Sequence, residues 1–93
     1  MGSPVELTGS SSSDASIATG LHVVYWLHVS AGSTGGAWSL EDGTDDSGSV
    51  KVASSKPASG EDFVMYFHDG LEFKTGIYFD IGGTNVTMTV GYK

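Results

Sequence analysis

The chain has 93 residues with four lysines, no arginine, eleven acidic residues and no cysteine, and its net charge is −7. The length is that of one small domain, and the charge excludes a nucleic-acid binder built on a basic patch and disfavours anionic membrane surfaces. Without cysteine the chain forms neither a disulfide scaffold nor a thiolate zinc site, and no apolar run approaches the ~20 residues of a membrane span.

The first fourteen residues are predicted to lie ahead of the main domain. Residues 5–8 have the composition of a short strand, and residues 9–14 are polar and of low complexity, which is typical of a flexible link. We therefore divide the chain into an N-terminal arm with a serine-rich link, residues 1–14, and a single β-sandwich domain, residues 15–93. Such an arm can add a strand to a neighbour's sheet, and the alternative is a frayed terminus.

The longest alternating segment, residues 20–30, predicts one extended strand. One face carries Leu21, Val23, Tyr25, Leu27 and Val29, and the other carries Val24 and Trp26 with His22 and His28. Because both faces hold apolar side chains, we expect a central strand that is covered on both sides, and one cover could be a neighbouring subunit. Helix formers are scarce, and no window repeats apolar residues at helical spacing.

Six further short runs complete the predicted strands. They are residues 37–40, 50–53, 63–67, 71–73, 77–81 and 86–92, and the last two, around Gly82-Gly83, are predicted to form a C-terminal hairpin. The connections are too short for crossover helices, so the pairing should be antiparallel. The predicted fold class is all-β, an antiparallel β-sandwich or jelly roll of about eight short strands. A small barrel stays open, as does the choice between jelly-roll and immunoglobulin-like connectivity.

The acidic segment 42–48 invites comparison with a calcium loop. Asp42, Thr44 and Asp46 stand at alternate positions, as oxygen ligands do in an EF-hand. An EF-hand also needs glycine at the sixth position and glutamate at the twelfth, where this chain has Ser47 and Ala53. The pattern therefore favours a solvated hairpin turn, and a weak cation site stays open.

The histidines offer no catalytic arrangement in the sequence. His22 and His28 are about 20 Å apart on one extended strand, so they cannot share a metal ion within a chain. His68 stands beside Asp69 in a predicted tight turn, with neither a nucleophile-elbow serine nor a cysteine. We therefore predict no catalytic residue, no metal site and no cofactor. Only a symmetric oligomer could bring copies of one histidine together at its axis.

The aromatic residues allow two interpretations. They include Trp26, Trp38, Tyr25, Tyr66, Tyr78 and Tyr92. Half-buried aromatic residues on strands usually belong to the core or form cross-strand pairs, which is the favoured interpretation. The alternative is a sugar-stacking platform, which requires Trp26 or Trp38 to reach solvent.

Two blocks of the sequence carry distinctive turn and strand patterns. Residues 42–48 read DGTDDSG, and residues 70–84 read GLEFKTGIYFDIGGT, followed by the closing strand TVGY. These patterns resemble those of small virion proteins of tailed bacteriophages. The resemblance covers roughly the C-terminal half to two-thirds of the chain, and it concerns turns and strands, so it assigns no functional residue.

The resemblance implies a non-enzymatic structural role in a virion. It favours a capsid decoration or cement protein on the capsid surface, often a trimer, with the major capsid protein as its partner. A tail or neck component is the alternative, and a small carbohydrate-binding module is the alternative from another class. The candidate contact residues are Pro4, Val5, Leu7, Trp38, Asp45 and Asp46, and neither nucleic acid nor membrane is an expected partner.

Overall fold

The computed structural model describes residues 6–31, 38–54, 62–81 and 86–93, which contain eight strands and no helix that could cross a membrane. The strands are β1 (Leu7–Ser11), β2 (Ala15–Thr19), β3 (His22–Ala31), β4 (Trp38–Asp42), β5 (Ser49–Ser54), β6 (Asp62–Phe73), β7 (Gly76–Ile81) and β8 (Val86–Tyr92). They form two four-stranded sheets, sheet A in the order β1-β8-β3-β6 and sheet B in the order β2-β7-β4-β5. All neighbouring strands are antiparallel, which confirms the predicted β-sandwich.

The strand order is that of a jelly roll. Strand β1 pairs with β8, β2 with β7, β3 with β6 and β4 with β5, so the chain forms one long antiparallel ribbon that turns back between β4 and β5. Rolling this ribbon places β8 beside β3 and β7 beside β4, which makes the two sheets. An immunoglobulin sandwich would keep the first two strands in one sheet, whereas here they lie in different sheets.

Two predicted strand assignments are wrong. Strands β7 and β8 do not form a C-terminal hairpin, because β7 lies in sheet B and β8 in sheet A. The runs 63–67 and 71–73 are not separate strands, because both belong to one long strand, β6. In addition, strand β2 has no counterpart among the predicted strands. Strand β2 escaped prediction because its sequence, ASIAT, has a single large apolar residue, Ile17, and so shows no alternation.

The N-terminal boundary is also corrected. Residues 7–14 are part of the sandwich, since β1 pairs along its whole length with β8, from Leu7 opposite Tyr92 to Ser11 opposite Met88. The carboxylate of Asp14 accepts a hydrogen bond from the backbone N–H of Ile81 at 2.7 Å. Composition pointed to a flexible link because serine-rich segments rarely pack. Here Ser10 faces outward from the paired strand β1, and its hydroxyl shares a hydrogen bond with that of Thr89 on β8. Pro4 and Val5 lie outside the described residues.

A β-bulge at Tyr25 divides strand β3 into two halves with opposite phase. Val24 is opposite Tyr92 of β8, and Trp26 is opposite Gly91, so Tyr25 has no partner of its own on that side. On the other side, residues 67–70 of β6 bulge out at the same level. A one-residue insertion moves every following side chain to the opposite face. Val24 therefore joins the core, and the prediction that it shares the face of Trp26 is wrong.

The hydrophobic core lies between the two sheets. Its largest fully buried side chains are Leu27, Leu40, Phe73, Ile77, Phe79 and Met88. Burial of a side chain of this size contributes about 1.5–3 kcal/mol to folding. The interior is thus filled with apolar side chains, and the outward-facing residues of each strand are the ones that can meet a partner.

Candidate functional site

One end of the sandwich gathers three turns together with the start of β1 and the end of β8. The β2–β3, β4–β5 and β6–β7 turns lie here, beside the first residue of β1 and the last residue of β8, and we call this region the turn end. Hydrogen bonds join its parts: Gly20 N–H donates to the carbonyl of Thr75 at 2.7 Å, and Gly43 N–H donates to the carbonyl of Gly76 at 3.1 Å. The first bond joins the β2–β3 turn to the β6–β7 turn, and the second joins the β4–β5 turn to the start of β7, so the three turns are held as a unit.

Asp42 anchors the turn end. Its carboxylate accepts hydrogen bonds from three consecutive backbone N–H groups, those of Lys74 at 3.0 Å, Thr75 at 2.8 Å and Gly76 at 3.3 Å. Burial acts to raise the pKa of Asp42, but these three donors and the charge of Lys51 outweigh it, so the pKa lies below its ordinary value. Both carboxylate oxygens are engaged with backbone, which favours the turn interpretation of this segment over the calcium interpretation.

The β4–β5 turn is stabilised by its own side chains. Asp45 accepts hydrogen bonds from the backbone N–H of Ser47 at 2.9 Å and from the Ser47 hydroxyl, and these two bonds lower the pKa of Asp45. This is an Asx-type turn, in which a short acidic side chain replaces a backbone acceptor. Asp45 and Asp46 are both exposed. Among the described residues no three acidic or histidine side chains are placed to hold a metal ion.

The predicted contact residues fall into three groups. Leu7, which is 48% exposed, lies at the turn end together with Asp45 and Asp46. Trp38 is 2% exposed and packs in the core, so its side chain lies away from the surface on which the sequence analysis expected a contact. Pro4 and Val5 lie outside the described residues.

Two exposed apolar side chains at the turn end were missed by the sequence analysis. Leu21 is 65% exposed in the β2–β3 turn, and Val50 is 58% exposed near the start of β5. Leu21 had been placed on a buried strand face because the alternation was extended past the end of the strand. Its position directly after Gly20, which adopts a positive φ of 87°, is the local signal of a turn. The turn end therefore combines exposed apolar and acidic groups.

The outer face of sheet A carries a second distinct surface. Alternation fixes which side chains point outward, and register aligns them in three rows across the strands. The rows are Thr8, Gly91, Trp26 and Tyr66; then Ser10, Thr89, His28 and Val64; then Thr87, Ser30 and Asp62. The β1–β8 side of this face is thus built of hydroxyl residues, and the β3–β6 side is aromatic and apolar.

An open groove of about 410 Å³ lies on this outer face. It is lined by Trp26, His28, Val64, Tyr66 and Thr89. Tyr66 is 79% exposed, whereas Trp26 is partly buried because its indole lies against Gly91, where a Cβ atom would collide with the ring. Nothing in the sequence indicates that the two aromatic residues lie side by side, because they are 40 residues apart in the chain.

Hydrogen bonds fix the groups around this groove. The indole Nε1–H of Trp26 donates to the carboxylate of Glu6 at 3.0 Å. The hydroxyls of Ser10 and Thr89 are 2.9 Å apart, and those of Ser12 and Thr87 are 2.7 Å apart, so each pair shares a hydrogen bond between β8 and the N-terminal segment. A further polar contact joins the Nε2 atom of His28 to the carboxylate of Asp62 at 3.9 Å.

The other two histidines do not form a site. Both ring nitrogens of His22 face carbonyl oxygens, Nε2 that of Thr19 at 2.9 Å and Nδ1 that of Lys93 at 3.1 Å, so this residue ties strand ends together. His68 and Asp69 are exposed in the bulged part of β6. The three histidines thus occupy separate places in the structure.

Sheet B has a polar outer face centred on Glu41. This side chain is 3% exposed, and the Ser39 hydroxyl donates a hydrogen bond to its Oε2 atom at 2.7 Å, while its buried Oε1 atom has no partner. Burial, together with the neighbouring carboxylates of Asp80 and Asp46, raises the pKa of Glu41. Tyr78 on the same face has a raised pKa through its own desolvation and the surrounding acidic charges. The outer face of sheet B therefore carries an acidic cluster in which the buried charge of Glu41 is unfavourable for folding.

Comparison with known proteins gives little beyond this geometry. No protein-family model and no curated protein matches the chain. A search of solved structures returned a chain from "Structure of infectious bursal disease virus Gx strain", with 15% identity and a TM-score of 0.30, over 96% of this chain and 32% of that one. This chain therefore spans about a third of the viral chain's length, and a TM-score this low supports no conclusion about function.

Proposed function

We propose that this chain is a non-enzymatic structural protein of a tailed-bacteriophage virion and, within that class, a capsid decoration protein that binds the major capsid protein. The proposal combines the sequence resemblance with what the resembling residues do in the fold. A decoration protein adds binding free energy across the joints between capsomers, through many copies that each contribute modest contacts. Such a role needs a stable small domain and an exposed contact surface.

The observation that carries the proposal is the contact between the two resembling blocks. The first block supplies Asp42 and Gly43, and the second supplies Lys74, Thr75 and Gly76, which hydrogen-bond to them at the turn end. The two sequence patterns that carry the resemblance thus meet in one structural feature, the hydrogen-bonded turns of the turn end. A resemblance carried by residues of this kind points to a shared scaffold, and it agrees with a structural role.

The turn end is the surface we assign to the capsid. It combines the exposed apolar residues Leu7, Leu21 and Val50 with the acidic Asp45 and Asp46. Apolar groups that are ringed by charges are typical of docking surfaces, in which the apolar part supplies affinity and the charges supply orientation. The acidic groups call for a basic patch on the major capsid protein. A trimer would present three turn ends to one site of threefold symmetry and multiply a weak contact.

The first experiment counts copies of this chain per major capsid protein in purified particles by quantitative mass spectrometry. A ratio near capsomer stoichiometry, which means hundreds of copies, is the result expected. Tens of copies or fewer would move the protein to the tail or neck, and its absence from particles would overturn the virion role.

A second experiment tests the assigned surface. Particles that lack the protein are incubated with purified wild type, with Leu21→Asp or with the matched control Val64→Asp, and bound protein is measured after sedimentation. Both substitutions place a carboxylate at an exposed apolar position, but only Leu21 lies at the turn end. We expect Leu21→Asp to lose binding and Val64→Asp to keep it. Equal binding by the two variants would contradict the assignment of the turn end.

A further inference from the structure

We propose that the outer face of sheet A is a binding site for neutral oligosaccharides, with sugar rings seated against Trp26 and Tyr66. The site is separate from the turn end, and it does not depend on the virion role. It rests on the division of this outer face into an aromatic half on β3 and β6 and a hydroxyl half on β1 and β8.

The aromatic half offers two stacking surfaces, of which the Trp26 ring is held in place by its neighbours and the Tyr66 ring is exposed. Trp26 and Tyr66 are direct partners across β3 and β6, so their Cα atoms are about 5 Å apart. The indole of Trp26 lies over Gly91 and is tied to Glu6 by its hydrogen bond, while Tyr66 stands free in solvent. A pyranose presents an apolar C–H face that packs against such rings, because the ring face is electron-rich. A ring that is already fixed loses little freedom on binding.

The hydroxyl half offers matching polar groups. Thr89 lines the groove, and Ser10 is its hydrogen-bonded neighbour on β1. Each hydroxyl can both donate and accept, which is also true of each sugar hydroxyl. His28 lies between the two halves and lines the groove. A ligand with one apolar face and a polar edge fits this pattern, and the groove volume of about 410 Å³ falls in the range of small-molecule sites.

The charges around the face select the occupant. Glu6 borders the groove through its bond to Trp26, and Asp62 borders it through its contact with His28. These carboxylates repel anionic ligands and can accept hydrogen bonds from sugar hydroxyls. A second copy of the chain is disfavoured, because each copy carries a charge of −7 and the hydroxyl half provides no apolar area for a subunit contact.

The test is a titration of the full chain with maltohexaose, cellohexaose and chitohexaose, followed by tryptophan fluorescence and amide chemical shifts. We expect saturable binding of at least one probe, with shifts confined to the four strands of sheet A, β1, β8, β3 and β6. Tyr66→Ala should weaken this binding at least tenfold, and Thr89→Val should weaken it a few-fold. Val50→Ala, which removes an exposed apolar side chain at the turn end, is the matched control and should bind as wild type does.

Three outcomes would overturn the proposal. They are the absence of saturable binding for all three probes, binding that Tyr66→Ala leaves unchanged, and concentration-dependent self-association that Tyr66→Ala abolishes while the sugars have no effect. Tyr66 is largely exposed, so its variant should fold, and a urea denaturation curve checks this before the titration. None of these outcomes alters the particle copy number, so the two proposals fail separately.

Discussion

The carboxylate of Asp42 accepts a hydrogen bond from the backbone N–H of Thr75 at 2.8 Å, although 33 positions separate the two residues in the chain. This bond and its two neighbours join the β4–β5 turn to the β6–β7 turn. Hydrogen bonds to a charged acceptor are each worth about 1.5–3 kcal/mol. We therefore expect Asp42→Asn to lower the free energy of unfolding by about 2 kcal/mol at pH 7, measured by urea denaturation. The control Asp46→Asn removes an exposed charge in the same turn and should change stability by less than about 0.5 kcal/mol.

The same carboxylate makes stability depend on acid. Because the pKa of Asp42 in the folded protein lies below its ordinary value of 3.8, its contribution is fully present above that value and is lost as pH falls through the folded pKa. The stability difference between wild type and Asp42→Asn should therefore be constant from pH 5 to 7 and shrink below pH 3.8. A difference that stays constant down to pH 2 would contradict this account.

Glu41 should give stability the opposite dependence on pH from that of Asp42. Its pKa in the folded protein is raised above its ordinary value of 4.5, so stability falls as pH rises from that value through the folded pKa. Glu41→Gln removes the buried charge and keeps an acceptor for the Ser39 hydroxyl. We expect the variant to gain about 1 kcal/mol at pH 7 and to lose that gain near pH 4. Glu72→Gln, at an exposed position on β6, is the control, and a Glu41→Gln variant less stable than wild type at pH 7 would refute the prediction.

Alanine substitutions at two glycines with positive φ distinguish the cost of backbone strain from the cost of a steric collision. Gly20 has a φ of 87° with open space around it, so Gly20→Ala should cost only the backbone term, about 1 kcal/mol. Gly70 has a φ of 82°, and an added Cβ would collide with Val23 and lie 3.2 Å from the Tyr25 ring. Gly70→Ala should therefore cost at least about 2 kcal/mol. Equal losses in the two denaturation curves would show that β6 does not pack against the bulge of β3 in solution.

Gly91 holds Trp26 in its place on the sheet. A Cβ atom at this position would overlap the indole, so Gly91→Ala should push the ring into solvent and break its hydrogen bond to Glu6. We expect a red-shifted tryptophan emission and a loss of about 1 kcal/mol in stability. Trp38 stays buried and contributes a constant background. In a Trp26→Phe background, Gly91→Ala should leave the tryptophan emission as it is in the Trp26→Phe single variant. A shift between these two variants would assign the effect to Trp38.

The fold class is predictable from the sequence, and so are the positions of strands with regular alternation, such as β7 and β8. Prediction failed where structure depends on partners that are distant in the chain. Nothing local marks the bulge at Tyr25, which needs the matching bulge of β6, and alternation does not say which sheet a strand joins. For the candidate site, Leu7, Asp45 and Asp46 are exposed, and their role as contact residues stays a prediction. Trp38 is not exposed, because burial of a large aromatic residue is decided by both sheets together.

The pairing of Leu7 with Tyr92 has a consequence for how the protein comes to be folded. During synthesis the first strand leaves the ribosome long before its partner exists, so sheet A cannot be completed until β8 has emerged. The β4–β5 hairpin can form early, and we expect the ribbon to close outward from it, with β1 and β8 last. Such high contact order slows folding, and the unpaired edges stay open to aggregation in the meantime. The edges of β1 and β8 are therefore the ones that stay unpaired for longest while the chain is made.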